Sequence, residues 1–428
     1  MELNNKKIIN AWCYFDWANS AYSLVITSTI FPVYYNQVTR NFFQGDTVKF
    51  FGFDITNSVL YSYSLSFSFL LIACISPFLS SISDYGGKKK PFMRFFTTLG
   101  ALACIAMFFF TGENVELAII CSILASVGYA GGLVFYNAFL PEIVSPDRYD
   151  SVSARGFSMG YFGSVLLLIF NLAMVMSPQT FGLENGGLAS RISFVMVGLW
   201  WFGFSQITFY HLKDRSKSDL PMANLLSKGL KELKKVFQAV QTQRQVKYFL
   251  ISYFFSNAGV QTVMYLAATF GEKELHLPSG KLIATVLIIQ IVAILGAYLS
   301  AKLSEKKGNK FAVMVLMLIW IANCLASYFV QTDIHFYFLA TAVGLVMGGI
   351  QSLSRATYSK LLPENTKDTT SYFSFYDVVD KFAVVIGTAS YGLIEQITGD
   401  MRLSSVSLAL YFVISLFFFS QIKVEPAK

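Results

Sequence analysis

Two short polar segments of this chain return at a nearly constant distance. The segment at 83–89 (SDYGGKK) returns as 304–310 (SEKKGNK), 221 residues later, and the segment at 136–142 (YNAFLPE) returns as 358–364 (YSKLLPE), 222 residues later. Each copy lies in a polar break between long apolar runs. The chain is therefore predicted to contain a duplicated unit, and duplicated helical bundles in membranes are typical of transporters.

The composition indicates a membrane protein. Charged residues make up 14% of the chain, against roughly 25% in soluble domains. A membrane-spanning helix needs about 20 mostly apolar residues. Twelve such runs occur, near residues 10–39, 57–82, 92–111, 115–140, 152–177, 190–212, 247–270, 280–303, 311–330, 334–361, 371–396 and 402–421. They predict an all-α membrane protein with twelve transmembrane helices in two pseudo-symmetric six-helix bundles.

The predicted domain boundaries follow from these runs. An N-terminal bundle covers 1–212, a linker covers 213–246, and a C-terminal bundle covers 247–428. The first run is expected to stay in the protein as a helix, because it contains Asp16 and is too long for a signal peptide. The linker is predicted to contain an amphipathic helix on the membrane surface, where anionic lipid would attract its lysines. A simple tether between the bundles is the alternative, and both can hold. The apolar residues on which the helix prediction rests are Leu225, Leu226, Leu230, Leu233 and Phe237.

Lysine and arginine residues are unevenly distributed around the runs. If the N-terminus is cytoplasmic, 25 of the 33 fall in cytoplasmic segments, six fall outside and two lie within runs. Cytoplasmic loops of membrane proteins carry such an excess, so both termini are predicted to be cytoplasmic. The net charge of +8 is thus explained by membrane topology, and no nucleic-acid partner is expected.

A few charged residues lie inside the predicted membrane helices, where a charge is costly unless it is paired or lines a water-filled path. Arg355 on the tenth run and Asp377 on the eleventh lie at similar depth, so a salt bridge between them is predicted. Lys381 competes for Asp377 from one helical turn away, and Asp380 adds a second acid. Two interpretations stay open: a structural cluster that joins the tenth helix to the eleventh, or a gate or substrate-charge site. The charge chemistry is expected mostly in the second half.

Asp16, near the start of the first run, also has more than one interpretation. A carboxylate there could simply favour the positive end of the helix dipole. It could instead contact an ion or carry a coupling proton. It could also bind the ammonium group of an amino acid, as Asp377 could, while Arg355 or Lys381 binds the carboxylate.

Several segments resemble a known superfamily. Asp84-x-x-Gly87-Lys88-Lys89 matches the signature loop of the major facilitator superfamily, with Ser80 where glycine is usual. A narrower resemblance, to the vacuolar-effluxer-like branch with its autophagy-related fungal members, covers nearly the whole chain. It rests on residues 15–21 (FDWANSA), 136–142 (YNAFLPE), 160–163 (GYFG) and 348–355 (GGIQSLSR). The resemblance implies the major facilitator fold, secondary transport and, for the fungal relatives, amino-acid efflux. The compact loops are similar to those of prokaryotic relatives, so a prokaryotic cytoplasmic membrane is expected.

The resemblance also implies where a substrate would bind, because the first, fourth, seventh and tenth helices of this superfamily line a central cavity. Asn19 and Asn257 occupy matching places on the first and seventh runs, and Gln261 follows Asn257 by one turn. Hydrogen bonds between helices would explain any one of these residues equally well. The predicted polar lining is completed by Tyr22, Tyr136, Asn137, Gln290 and Gln351.

The signature loop is implied to control the conformation. Asp84 would pack against a neighbouring helix start and stabilise the outward-open state, with Gly87, Lys88 and Lys89 completing the loop. The lysines could instead serve topology alone. A weaker copy would lie in the second half, where Asn309 replaces a basic residue; its members are Glu305, Gly308 and Lys310.

The leading hypothesis is a secondary active transporter that moves a small polar organic solute, amino acids first, by alternating access. Coupling to protons is a further expectation, resting on Asp16, Asp377 and Asp380. Translocation of a lipid or lipid-linked precursor on the same fold is the alternative. An enzyme is disfavoured, because the sequence shows no nucleophile–histidine pairing and no metal-ligand spacing. No cofactor is expected; membrane lipid is the expected surroundings. Glycines four residues apart on several runs predict close helix packing.

Overall fold

Long helices joined by short connections make up this structure, a computed structural model that describes residues 3–214, 231, 234–277, 279–363 and 366–423. Helix α1 covers residues 6–43 in three stretches: α-helical Lys6–Ala21, π-helical Tyr22–Ile30 and α-helical Phe31–Phe43. The other long helices are α2 (Asn57–Gly86), α3 (Lys90–Ala106), α4 (Val115–Asn137), α5 (Tyr149–Met176), α6 (Gly186–His211), α7 (Arg244–Leu275), α8 (Ser279–Lys307), α9 (Asn309–Ala326), α10 (Asp333–Leu361), α11 (Thr369–Thr398) and α12 (Met401–Ser420).

Each predicted apolar run overlaps one of these helices. Within the described residues, nine helices are long and apolar enough to cross a membrane. The three long helices outside that set are α1, which the π-helical stretch divides, α7 and α11. Helix α11 contains Asp377, Asp380 and Lys381. The all-α fold is confirmed, and the count of twelve membrane spans stays a prediction.

The π-helical stretch of α1 has a local cause. Pro32 follows it, and a proline has no N–H and clashes with the carbonyl four residues before it in an α-helix. Wider π turns relieve that clash. Within the stretch, the hydroxyls of Ser28 and Thr29 donate to carbonyls five residues back, Ser23 at 2.9 Å and Leu24 at 2.7 Å. Single π turns often occur at functional sites, and this stretch borders the central cavity described below.

The two ends of the bundle differ. We call the end that carries the start of α1, the ends of α10 and α12, the start of α11 and the connections 87–89 and 138–148 the terminal face. The opposite end, the hairpin face, carries the strands β1 (Thr47–Phe50) and β2 (Phe53–Thr56), an antiparallel pair. Lysines and arginines predict that the terminal face is cytoplasmic, and this orientation stays a prediction.

Helices of the two sequence halves are interleaved at their interface: α2 packs on α11, and α5 packs on both α8 and α10. Within the second half, small residues permit close approach of α8 and α10, as the sequence predicts. A Cβ added to Gly348 on α10 would lie 2.1 Å from the Ala293 carbonyl oxygen of α8. These contacts place helices from both halves around one central space.

The predicted linker is described in part. Residues 234–242 are helical, and Val236 and Val240 pack into the core of the second half. Phe237 is exposed and lies against Phe375 of α11, with 5.9 Å between ring centroids. Leu225, Leu226, Leu230 and Leu233, on which the predicted amphipathic helix mainly rests, lie outside the described residues. The division into domains at 213–246 therefore stays a prediction.

Candidate functional site

A cavity of about 220 Å³ lies between the two halves. Helices α1, α2, α4 and α5 line it from one side, and α7, α8, α10 and α11 from the other. Of the thirteen residues predicted for substrate binding or coupling, twelve border it. They are Asp16, Asn19, Tyr22, Asn137, Asn257, Gln261, Gln290, Gln351, Arg355, Asp377, Asp380 and Lys381. Tyr136 lies directly behind Asp16, to which its hydroxyl donates at 2.7 Å.

A buried salt bridge between α1 and α10 borders the cavity. Arg355 Nη1 is 3.2 Å from Asp16 Oδ2, and the side chains are 3% and 7% exposed. The guanidinium also donates to Ser153 of α5, from Nε to the hydroxyl and from Nη2 to the carbonyl, both at 2.9 Å. Nη1 also donates to Asn137 Oδ1 at 3.3 Å. Every polar partner of this guanidinium thus comes from the first half.

Aromatic rings surround the same guanidinium. Its central carbon lies 4.3 Å from the ring centroid of Phe157, 4.7 Å from that of Trp12 and 5.5 Å from that of Tyr136. Trp12 stacks on Tyr136 and donates its indole N–H to the Tyr136 carbonyl at 3.0 Å. A planar, delocalised cation suits this setting better than a lysine ammonium would.

The predicted salt bridge between Arg355 and Asp377 is therefore wrong. Arg355 bonds to Asp16 instead, and it joins α10 to the opposite half and not to α11. The competing pairing, Lys381 with Asp377, is confirmed, with 3.2 Å between Nζ and Oδ1. The guanidinium is already fully bonded, so the structure gives no support to Arg355 as a carboxylate receptor.

A second charged group lies on α11. Lys381 Nζ is 2.5 Å from Asp380 Oδ2, and Asp380 Oδ1 accepts from Asn257 Nδ2 at 2.7 Å. Two acids thus face one base. Two buried carboxylate or amide oxygens on cavity-lining residues have no hydrogen-bond partner among the described residues: Asp377 Oδ2 and, on the other half, Asn19 Oδ1. The Thr27 hydroxyl, also in the lining, has none either. Buried polar atoms are normally hydrogen-bonded, so each of the two oxygens could accept from a bound donor.

Sequence reasoning missed several tyrosines that border the cavity. A repeating signal was present: Tyr253, Asn257, Gln261 and Tyr265 are spaced four residues apart on α7, which places them on one face, and all four line the cavity. Of the predicted residues, the Tyr22 hydroxyl lies 2.8 Å from that of Ser126, and Gln351 accepts from Tyr161. Tyr129, Tyr161 and Tyr376 complete the tyrosine lining. In the described part of the chain, no group of three or more His, Cys, Asp or Glu side chains could hold a metal ion.

On the terminal face, Asp84 contacts the start of α11. Its two carboxylate oxygens accept from the backbone N–H groups of Thr370 at 3.1 Å and Ser371 at 2.6 Å. Helix starts carry free N–H groups and a positive dipole end, so a carboxylate is stabilising there.

The other residues of the signature loop differ in what they contact. Gly87 ends α2 with a φ of +63°, a conformation that glycine adopts without strain. Lys89 bonds Glu142 and Thr369, whereas Lys88 is exposed.

The copy in the second half uses different atoms. Glu305 is exposed, and Lys310 donates to the Ser420 carbonyl at 2.5 Å. Gly308 repeats the positive φ, at +89°. The contact across the halves is made by Ser304 and Asn309, which donate to Asp150 of α5 at 2.5 and 2.9 Å.

In this second contact between the halves the acid is Asp150, which belongs to the start of α5 and not to the repeated loop. Lys360 of α10 is a third donor to Asp150, with 2.6 Å between Nζ and Oδ2. Among the described residues, polar contacts between the halves on the terminal face include one centred on Asp84, beside which Lys89 bonds Thr369, and one centred on Asp150.

Comparison with known proteins agrees with this architecture. The family described as "Vacuole effluxer Atg22 like" matches residues 4–428. The protein named "uncharacterized MFS-type transporter YxiO" of Bacillus subtilis is 30% identical over 411 residues, which cover 95% of this chain and 92% of that protein. Autophagy-related protein 22 of Kluyveromyces lactis is 27% identical, covering 88% of this chain and 81% of its own length.

Solved structures show the same fold. The transporter FucP, in its outward conformation, superposes with a TM-score of 0.71 at 12% identity, covering 96% of this chain and 97% of that one. The resemblance seen in the sequence is confirmed: the chain belongs to the vacuole-effluxer Atg22-like family of major facilitator superfamily transporters.

Proposed function

We propose that this transporter moves a small polar organic solute that carries an amino group, with amino acids as the first candidates, by alternating access and with coupling to protons. The observation that carries the proposal is the pair of unpartnered acceptors, Asp377 Oδ2 and Asn19 Oδ1, on residues that line one cavity from opposite halves. A substrate ammonium has three donors and no acceptor, and it fits these atoms.

The charges of the cavity favour the same chemistry. Asp16 and Arg355 neutralise each other. Asp377 and Asp380 outnumber Lys381, so the α11 group has a net charge of about −1 when all three are ionised. An ammonium group, or a proton, would restore neutrality in a site where an uncompensated charge is costly.

A substrate that bridges both halves would also explain transport. Asn19 belongs to α1 and Asp377 to α11, so a bound ammonium would join the two halves across the cavity. In such transporters, rocking of the halves about a central site exposes the site to each side in turn. Amide and hydroxyl groups of Gln261, Gln290 and Tyr129 are available around the cavity for a substrate carboxylate.

The decisive experiment is flux in liposomes that contain the purified protein. Panels of radiolabelled amino acids and simple amines are tested with and without an imposed pH gradient. Asp377→Asn should reduce uptake of amino-group substrates by at least about tenfold, since a lost charge-assisted bond of about 1.5–3 kcal/mol corresponds to tenfold or more. Glu305→Gln, at an exposed position, is the matched control and should transport normally.

Each outcome decides one part of the proposal. Flux of no amino acid or amine would remove the substrate class, and flux that ignores the gradient would remove proton coupling. Fluorescent-lipid scrambling in the same vesicles tests the lipid alternative. The charged and hydroxyl-rich cavity lining favours the small solute over a lipid, because an acyl chain would have to pass those groups.

A further inference from the structure

A second cavity, of about 60 Å³, lies inside the C-terminal half towards the hairpin face. Helices α7 to α12 surround it, and its apolar lining includes Val263, Phe270, Leu339, Val343 and Leu408. Helix α7 has a different face towards each cavity. Asn257 and Gln261 border the central cavity, whereas Val263 and Phe270 border this inner one.

Among the residues that the structure describes, two buried hydrogen-bond donors in the lining of this inner cavity have no partner. They are Trp320 Nε1 and Asn323 Nδ2, one helical turn apart on α9. Trp320 is fully buried and Asn323 is 8% exposed.

Other polar side chains of the inner cavity are already bonded. Thr285 donates to the Lys281 carbonyl at 2.9 Å, Ser327 to the Cys324 carbonyl at 2.7 Å and Tyr391 to the Met401 carbonyl at 3.2 Å. Among the described lining residues, the buried side-chain atoms that lack a partner are therefore both N–H donors.

We propose that the inner cavity binds a small neutral molecule with an apolar body and one hydrogen-bond acceptor, such as a ketone, ether or ester oxygen. Buried donors without a partner are rare and unfavourable, and one acceptor oxygen can receive both N–H groups. The described lining residues include no Lys, Arg, Asp or Glu, so among them a carboxylate or ammonium ligand would find no counter-charge. This site is separate from the proposed transport site and carries a different class of ligand.

Ordered water is the competing occupant. A buried water typically makes about three hydrogen bonds. The two free donors would fill its acceptor sites, and its own hydrogens would need the hydroxyl oxygens of the lining or the Asn323 amide oxygen. The largely apolar lining favours an organic molecule over water. Because the occupant would lie behind α7 and α8 and outside the central cavity, it is expected to bind without competing with the transported solute.

Photolabelling tests the proposal in lipid vesicles that contain the full chain. The probe is a short aliphatic ketone that carries a diazirine, and labelled residues are identified by mass spectrometry. We expect saturable labelling on α9 and α10 around Trp320 and Ala340. Unlabelled ketone should compete at least about tenfold better than a hydrocarbon of the same shape, and a substrate of the central cavity should not compete.

Two variants test the two parts of the proposal, namely the place of binding and the role of the hydrogen-bond donors. Ala340→Leu fills the inner cavity and should abolish saturable labelling, because Ala340 lines it and is 4% exposed. Trp320→Phe keeps an aromatic ring but removes one donor, and should reduce the preference for ketone over hydrocarbon.

Several results would overturn the proposal. One is labelling confined to outward-facing residues such as Leu318 and Phe338, which are 53% and 72% exposed. Others are labelling that does not saturate, as water occupancy would give, and labelling that Ala340→Leu leaves unchanged in a protein that still transports. Equal competition by ketone and hydrocarbon would remove the role of the two donors.

Discussion

Asp16 on α1 and Arg355 on α10 are 339 residues apart in the chain and form a buried salt bridge, with 3.2 Å between Oδ2 and Nη1. The pair joins the two halves at the border of the central cavity. Breaking a buried pair by removing one partner typically costs about 3–5 kcal/mol, because the other charge is left without compensation. In the proposed alternating-access mechanism this contact would have to separate, so its strength is expected to affect both stability and transport.

Arg355→Met should therefore lower the unfolding temperature of the purified protein. Adding Asp16→Asn in a double variant should recover part of that loss in unfolding temperature. Removing both charges leaves no buried unpaired ion. The control is Arg355→Met combined with Asp377→Asn, which should give no such recovery, since Asp377 bonds Lys381. Thermal unfolding in detergent, followed by tryptophan fluorescence, measures all four proteins. Recovery with Asp377→Asn and none with Asp16→Asn would contradict the assignment.

The helices and part of the cavity lining could be predicted from the sequence. A membrane span requires a long apolar run, so twelve runs corresponded to twelve long helices. The resemblance to the major facilitator superfamily, whose first and seventh helices line a central cavity, implies that Asn19, Asn257 and Gln261 border that cavity. The structure places all three on the central cavity.

The partner of Arg355 could not be predicted by the same reasoning. Position along a helix gives the depth of a side chain but not the neighbour that its face meets. Asp377 on the adjacent helix and Asp16 on a distant one both met the depth requirement. Duplication misled in a similar way at Glu305, because the repeat preserves the position of an acid while the contact has moved to Asp150.

Asp84→Asn should loosen the contact between α2 and α11. It removes a charge at a helix start, an interaction of about 0.3–1 kcal/mol and up to about 2 kcal/mol in partly buried sites. We expect the terminal face to open more often, by a factor of about 2–30. Thr370 is fully buried beside Asp84, so a cysteine introduced there by Thr370→Cys reports on opening. The measurement is the alkylation rate of this cysteine in a protein whose native cysteines are replaced.

The repeat supplies the control for this experiment. Glu305 corresponds to Asp84 in the duplicated segment but is exposed, so Glu305→Gln should leave the alkylation rate unchanged. An equal rise in both variants would show that loop charge, and not the contact with the α11 start, sets the rate.

Lys360→Met should destabilise the protein by less than the removal of Arg355. Asp150 would lose one of three donors, and the bonds from Ser304 and Asn309 would still compensate its charge. We expect a loss of about 1–3 kcal/mol, part of which Asp150→Asn should restore in the double variant.

A surface pair gives the comparison for Lys360. The salt bridge between Lys281 and Asp333 has the same 2.6 Å length, but its side chains are 46% and 35% exposed. Lys281→Met should therefore cost less than about 1 kcal/mol. Denaturant unfolding measures the free energy of unfolding of both variants. An equal loss for the two substitutions would mean that burial does not strengthen the contact between Lys360 and Asp150.

Gly156→Ala tests how closely α5 packs against the salt bridge. A Cβ at this position would lie 2.6 Å from Asp16 Oδ2 and 2.9 Å from Arg355 Nη2, so the pair must move or the helices must separate. Overpacking of this kind typically costs about 1–3 kcal/mol, and transport should fall with it. Gly203→Ala on α6 is the control, because nothing lies within 4 Å of its added Cβ and alanine favours a helix by about 1 kcal/mol. Thermal unfolding and liposome flux are measured for both. If Gly156→Ala proves as stable and as active as Gly203→Ala, the salt bridge is not confined by α5.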